Sequence, residues 1–112
     1  MIPIELVTTE NVSGYRNLES LGVVIGTCVR SVHLGKDVLA GLKTFIGGDL
    51  RGYEEMLEES RAQAIQRMLS QAKELNADAI VSFRLTSSEL AQGVAEVIAY
   101  GTAVRHELHA ST

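Results

Sequence analysis

The run from about Val94 to Arg105 constrains the fold more than any other part of the chain. Its alternate positions Ala95, Val97, Ala99, Gly101 and Ala103 are small. The intervening positions Val94, Glu96, Ile98, Tyr100, Thr102 and Val104 are also mostly apolar, with Glu96 the interruption. Alternation with period two and β-branched enrichment predict a strand. A face of small side chains lets a helix lie close on the sheet. A strand that is apolar on both faces, in a chain of 112 residues, needs a second cover, and a neighbouring subunit is the simplest one.

The other elements follow from the same periodicities. Residues 3–8 alternate weakly and predict a short edge strand, with Pro3 at its start, where proline is tolerated. Asn11 to Gly14 reads as a turn. From Leu21 to His33 the odd positions Leu21, Val23, Ile25, Thr27 and Val29 oppose Gly22, Val24, Gly26, Cys28 and Arg30, which predicts a second strand. From Gly35 to Ile46 the apolar spacing switches to three and four, which predicts a short amphipathic helix ended by Gly47-Gly48. A long helix is expected from about Gly52 to Leu75, with Leu57, Ala64, Ile65, Met68, Ala72 and Leu75 as its apolar stripe. Glu54, Glu55, Glu58 and Glu59 in its first turns, with Arg67 and Lys73 towards its end, suit the helix dipole. Asn76 fits a left-handed C-terminal cap. Asp78 to Thr86 alternates, with Ala79, Val81, Phe83 and Leu85 on one face and Ile80 as the exception. Ser87-Ser88-Glu89 is expected to begin a polar connection to Gly93, and residues 106–112 a frayed tail. The fold class is therefore α+β: one domain over residues 1–112, a mainly antiparallel sheet packed against one long helix plus a short helix.

Composition narrows the function classes. Hydrophobic residues make up 46% and charged residues 21%, which argues against a disordered chain. No stretch approaches 18 uninterrupted apolar residues, so no membrane partner is expected. The start lacks the basic and apolar regions of a signal peptide, which predicts a cytoplasmic protein. The net charge is −4 and no two of the Lys and Arg residues are adjacent, so a nucleic-acid partner is not expected either.

Each candidate for chemistry has a plainer reading. Gly47-Gly48-Asp49-Leu50-Arg51-Gly52 precedes a helix N-terminus, where amide groups can hold an anion. Its spacing matches no dinucleotide or phosphate-loop pattern, and the acids that follow would repel a phosphate, so an interhelical turn is expected. The metal-ligand candidates are Cys28, His33, His106 and His109. Cys28 and His33 differ by five positions and point to opposite faces of a regular strand. His106 and His109 have helical spacing inside the expected tail, so no residue is assigned as a metal ligand. The pairs Glu54/Glu58 and Glu55/Glu59 read as a solvated helix face. Tyr53-Glu54 reads as an aromatic that staples the preceding glycine turn to the core or lines a subunit junction. No nucleophile–base arrangement emerges, so no enzyme and no cofactor is expected. Cys28, beside Val24 and Val32 on its strand, reads as a buried structural thiol even though Arg30 is near.

Several strings, taken in order, resemble a known family. They are Gly22-Val23-Val24-Ile25-Gly26, Lys36-Asp37-Val38-Leu39-Ala40-Gly41-Leu42, Gly47-Gly48, Tyr53-Glu54-Glu55-Met56-Leu57, Ala77-Asp78-Ala79-Ile80-Val81 and Gly101-Thr102-Ala103-Val104. Over roughly residues 8 to 106 the chain resembles the YbjQ-like family of small bacterial and archaeal proteins, which carries a heavy-metal-binding label. The resemblance implies an α+β subunit related to the dodecin-like fold, assembling into a ring, typically a pentamer. Some members have Ser-Gly before the Tyr-Glu pair; here Leu50-Arg51-Gly52 stands there, so no serine-based site carries over. The family has no catalytic residues to transfer. The expectation is a non-enzymatic homo-oligomeric binding protein with a metal or an oxyanion at inter-subunit clefts. The alternative is a purely structural or interaction ring.

Overall fold

A computed structural model of the protein describes residues 3–31 and 50–109. The expected short helix over residues 35–46, the Gly47-Gly48 pair, His33 and the last three residues lie outside the described residues. The elements are β1 (Glu5–Leu6), β2 (Tyr15–Ser31), α1 (Leu50–Glu74), β3 (Ala79–Ala91) and β4 (Val94–Leu108). They form one four-stranded sheet in the order β1-β3-β4-β2. β4 runs antiparallel to both of its neighbours, whereas β1 lies parallel to β3. The sheet is mixed, with its antiparallel pairings dominant, and one long helix covers one face.

The small face of β4 is where that helix rests. Ala95, Val97, Ala99 and Ala103 are all buried, opposite Ala64, Met68 and Ala72 of α1. β2 supplies Val24, Gly26 and Cys28 to the same layer, in register with Gly101, Ala99 and Val97. Gly26 is where helix and sheet come closest. A Cβ there would lie 2.5 Å from the Met68 backbone nitrogen and closer still to the Ala64 carbonyl oxygen. The buried row of the helix is Met56, Ser60, Ala64, Met68 and Ala72, spaced by four throughout. That corrects the expected stripe. Leu75 is 42% exposed, and the polar Ser60 is buried because its hydroxyl donates to the Met56 carbonyl one turn back at 2.7 Å. A close-packed helix presents a narrow row, and only small side chains or flexible methionines fit along it.

The helix starts two residues earlier than expected, so Glu54 and Glu55 fall beyond its first turn and only Lys73 serves the dipole. Its end follows the expectation. Asn76 has φ +59°. Its N–H donates to the Lys73 carbonyl, and the Ala77 N–H donates to the Ala72 carbonyl. Those two bonds close a Schellman cap.

β3 departs most from its expected pattern. Ser82 adopts φ +54°, and two residues of β3, Ser82 and Phe83, span the interval that Gly101 alone fills between Thr102 and Tyr100 of β4. This bulge inverts the side-chain parity. Ala79 and Val81 lie on the face away from the helix, with Val12 and Val104. Ile80 and Phe83 lie on the helix side, and Leu85 opposite Ala99. Ile80 is therefore a regular member of the core. Gly101 makes room for the bulge, since a Cβ there would meet Ile80 Cγ2 at 2.6 Å. Ser87-Ser88-Glu89 does not leave the sheet; it pairs with Val97, Glu96 and Ala95. The connection is only Gln92-Gly93, with Gly93 at φ +76°. Polar strand residues persist there because an antiparallel partner strand satisfies their backbone groups. The expected tail at 106–108 is likewise the end of β4, paired with Tyr15–Asn17.

Candidate functional site

A cleft of about 330 Å³ opens where four segments meet at one end of the sheet. Pro3 and Glu5 line it from the N-terminal segment, Tyr15 from the start of β2, Ala77 and Asp78 from the turn after α1, and His106, Glu107 and Leu108 from the end of β4. Asp78 organises the junction. Its Oδ2 accepts the His106 backbone N–H at 3.0 Å, its own N–H donates to Val104 O, and its carbonyl accepts from Glu5 N. The Tyr15 and His106 rings stack with centroids 4.2 Å apart and planes 20° from parallel. They occupy diagonal positions of the β2–β4 ladder, within reach of aromatic side chains. His106 Nδ1 is buried and has no hydrogen-bond partner. Arg16 is paired with Glu107 across 91 residues of sequence.

The residues singled out from the sequence do not converge on this cleft. Cys28 is 3% exposed inside the helix–sheet core, about which the strand parity is correct. Arg30 does not serve the thiol but pairs with Glu59 at 2.8 Å. Tyr53 is half-buried in the first turn of α1. Of the expected tail, His106 is built into the strand end and His109 is exposed beyond it. Tyr15 and Asp78 were not anticipated as site residues. No local pattern links Tyr15 to His106, because their meeting is set by the register of two strands at opposite ends of the chain. Among the described residues no group of three or more His, Cys, Asp or Glu side chains could hold a metal ion. The donors among the described residues therefore do not form a heavy-metal centre by themselves, and Cys28 is enclosed in the apolar core with Val24, Met68 and Val97.

This packing makes Cys28 testable. Cys28→Ala is expected to cost about 1 kcal/mol of stability, an ordinary core substitution. In the native protein the thiol should react slowly with a small maleimide and fast once denaturant is added. Rapid stoichiometric labelling of the folded protein, suppressed by a thiophilic metal, would contradict the structural role.

A four-stranded mixed sheet with one long helix over a small-residue strand, and a cleft at the sheet end, defines an α+β class of domain. Residues 4–107 match the model of the YbjQ_1 family, described as "Putative heavy-metal-binding", and the chain belongs to that family. It is 53% identical over 102 residues to a UPF0145 protein of Thermotoga petrophila, covering 91% of this chain and 96% of the relative. To a UPF0145 protein of Archaeoglobus fulgidus it is 51% identical over 102 residues, covering 91% and 94%. A crystal structure of a DUF74-family protein of unknown function from Pediococcus pentosaceus superposes with TM-score 0.63 at 17% identity, covering 93% of this chain and 98% of that one. At that identity the likeness bears on the fold alone. No helix among the described residues is long and apolar enough to cross a membrane.

Proposed function

We propose that the chain is the subunit of a non-enzymatic homo-oligomeric binding protein. The observation that supports this reading is the sheet face opposite α1. Val23 is 65% exposed, Ile25 47%, Val29 52% and Tyr100 39%. Ile25 pairs with Tyr100, and Thr27 with Ile98, across the β2–β4 ladder, so these side chains form one apolar stripe on the same face. Single exposed apolar residues need no explanation, but a contiguous stripe on a sheet calls for a cover. A second copy supplies it without requiring any other protein, and the family resemblance implies a ring, typically of five. A metal ion or an oxyanion would then be held in clefts between subunits. The dispersed donors within one subunit favour, as the second reading, a purely structural or interaction ring with no small ligand.

Native mass spectrometry of the purified full chain at micromolar concentration tests both readings. A multiple of 12.1 kDa, expected to be five, supports assembly, and the monomer mass would end it. A retained ligand mass supports the binding reading, and a bare ring supports the structural one. Ile25→Asp should shift the mass to the monomer while the helical circular dichroism is kept, because the side chain faces outward from the subunit core.

A further inference from the structure

Three consecutive carbonyls of the N-terminal segment hold the bulge in β3. Thr9 O accepts from Ser82 N at 2.8 Å, Val7 O from Phe83 N at 3.0 Å and Thr8 O from Arg84 Nη1 at 3.1 Å. Val7 N also donates to Ile80 O at 3.0 Å. Residues 5–12 therefore lie as a strap along the start of β3. β1 pairs with Ala79 and Ile80, and Val12 is buried in one cluster with Ala79, Val81 and Val104. Ser82 needs that support. A non-glycine residue holds a φ of +54° only where its surroundings impose it.

Without the bulge, β3 has a second register that its own sequence satisfies. Carried on from the pair Val81–Thr102, a regular ladder sets Phe83 opposite Tyr100 and Leu85 opposite Ile98. Ala79, Val81, Phe83 and Leu85 then share the outer face, which is the alternation written in this stretch of sequence. Residues 90–93 become a four-residue turn, a length that hairpins use. The observed register instead turns Phe83 to the helix side and places Arg84 and Thr86 opposite Tyr100 and Ile98. From Thr86 to Glu89 the strand is polar on both faces and exposed, so burial there does little to choose between the two registers. We propose that the strap is the latch of a one-residue register switch in β3. Docked, it holds Ser82 left-handed and the bulge in place; released, it lets β3 slip to the regular register.

The two registers differ in what the outer sheet face presents. With the strap docked, Arg84 and Thr86 border the stripe of Val23, Ile25, Val29 and Tyr100. With it released, Phe83 and Leu85 take their places and widen the stripe, while Arg84 turns to the helix side opposite Ala99. Loss of Phe83 from the core and arrival of a cation beside Ala99 keep the regular register the minor state while the strap is bound. The grip of the strap is short. β1 pairs over two residues, Glu5 and Leu6, and Thr8, Thr9, Glu10 and Asn11 are exposed. Release therefore breaks few contacts and leaves the β2–β4 ladder paired. Both registers are defined within a single chain, so the switch stands apart from the oligomeric reading.

Cysteine pairs placed in the full chain read the register directly. Residues directly opposite on paired strands lie within disulfide reach, whereas residues on opposite faces do not. Thr86→Cys with Ile98→Cys therefore bridges in the observed register, and Leu85→Cys with Ile98→Cys bridges in the regular one. With no further change, the first pair should oxidise far faster than the second. Ser82→Val opposes a positive φ with a β-branched side chain, and Val12→Asp puts a charge on the buried anchor of the strap. Each should raise bridging of the Leu85/Ile98 pair at least about tenfold and lower that of Thr86/Ile98. Ser82→Gly, which accepts that φ, should keep the original pattern. Helical circular dichroism identifies the folded variants. Either Ser82→Val or Val12→Asp, folded and still bridging through Thr86 and Ile98, would overturn the latch. If Val12→Asp does not fold, Ser82→Val decides alone. Loss of the fold in Ser82→Val would also overturn the switch, because the regular register would then not support the domain.

Discussion

Gly26→Ala is expected to destabilise the protein by about 3 kcal/mol or more, at the upper end of overpacking costs. The reason is what the new methyl group would meet. Most overpacked cores relax by moving the end of a flexible side chain, but at Gly26 the obstacles are the Ala64 carbonyl and the Met68 backbone nitrogen. Neither can turn aside while α1 keeps its hydrogen bonds, so the whole helix must lift from the sheet. Lifting it would loosen Ala64 and Ala72 from Val97, Ala99 and Ala103 together, because these small side chains have no length with which to bridge a gap. A loss of that size in a domain of this length should lower Tm by roughly 12–20 °C. Thermal unfolding followed by circular dichroism measures it. A melting temperature within a few degrees of the parent would show that the helix does not sit on Gly26.

Met68→Ala is expected to cost about 3 kcal/mol, within the range for truncating a buried methionine. Met68 is fully buried and is the largest such side chain among the described residues. It sits in the middle of the helix row, in the same cluster as Val24, Cys28 and Ile80. Its neighbours along that row are Ala64 and Ala72, too short to collapse into the space it leaves. Met68→Leu, which nearly conserves volume, should cost less than about 1.5 kcal/mol. The contrast between the two, read from denaturant midpoints at constant m-value, separates loss of volume from loss of the thioether. The two positions touch through the Met68 backbone, so Gly26→Ala and Met68→Ala should not be additive when combined.

The cleft and the stripe differ in how far they could be read ahead of the structure. The stripe is implicit in the alternation of β4 and of residues 21–29, since both faces of those strands are apolar and one helix covers one of them. The cleft was not legible. Asp78 reads as the first residue of an alternating strand, and His106 reads as tail. Only their meeting with Tyr15 gives them a common role, and Asp78 ties three segments through its backbone and one carboxylate oxygen.

Local sequence by itself determined the span of the long helix to within two residues at its start and one at its end, its left-handed cap at Asn76, the edge position of the first strand, and the small face that receives the helix. Each depends on interactions within a few residues, such as helical spacing, a cap or strand alternation, so a local pattern is enough to specify it. The tertiary structure decided the rest. Ser82 enters the left-handed region and flips the parity of β3, a conformation announced by no glycine or asparagine and held by the Thr9 carbonyl and the room at Gly101. β3 runs on through Ser87-Ser88-Glu89, whose polarity argues for a loop, because β4 lies beside it and pairs with each residue. Met56 and Ser60 are buried in place of Leu75 because the axis of the helix over the sheet, rather than its most apolar face, selects the contact row. In each case the deciding partner is distant in sequence, and local propensity carries no record of it.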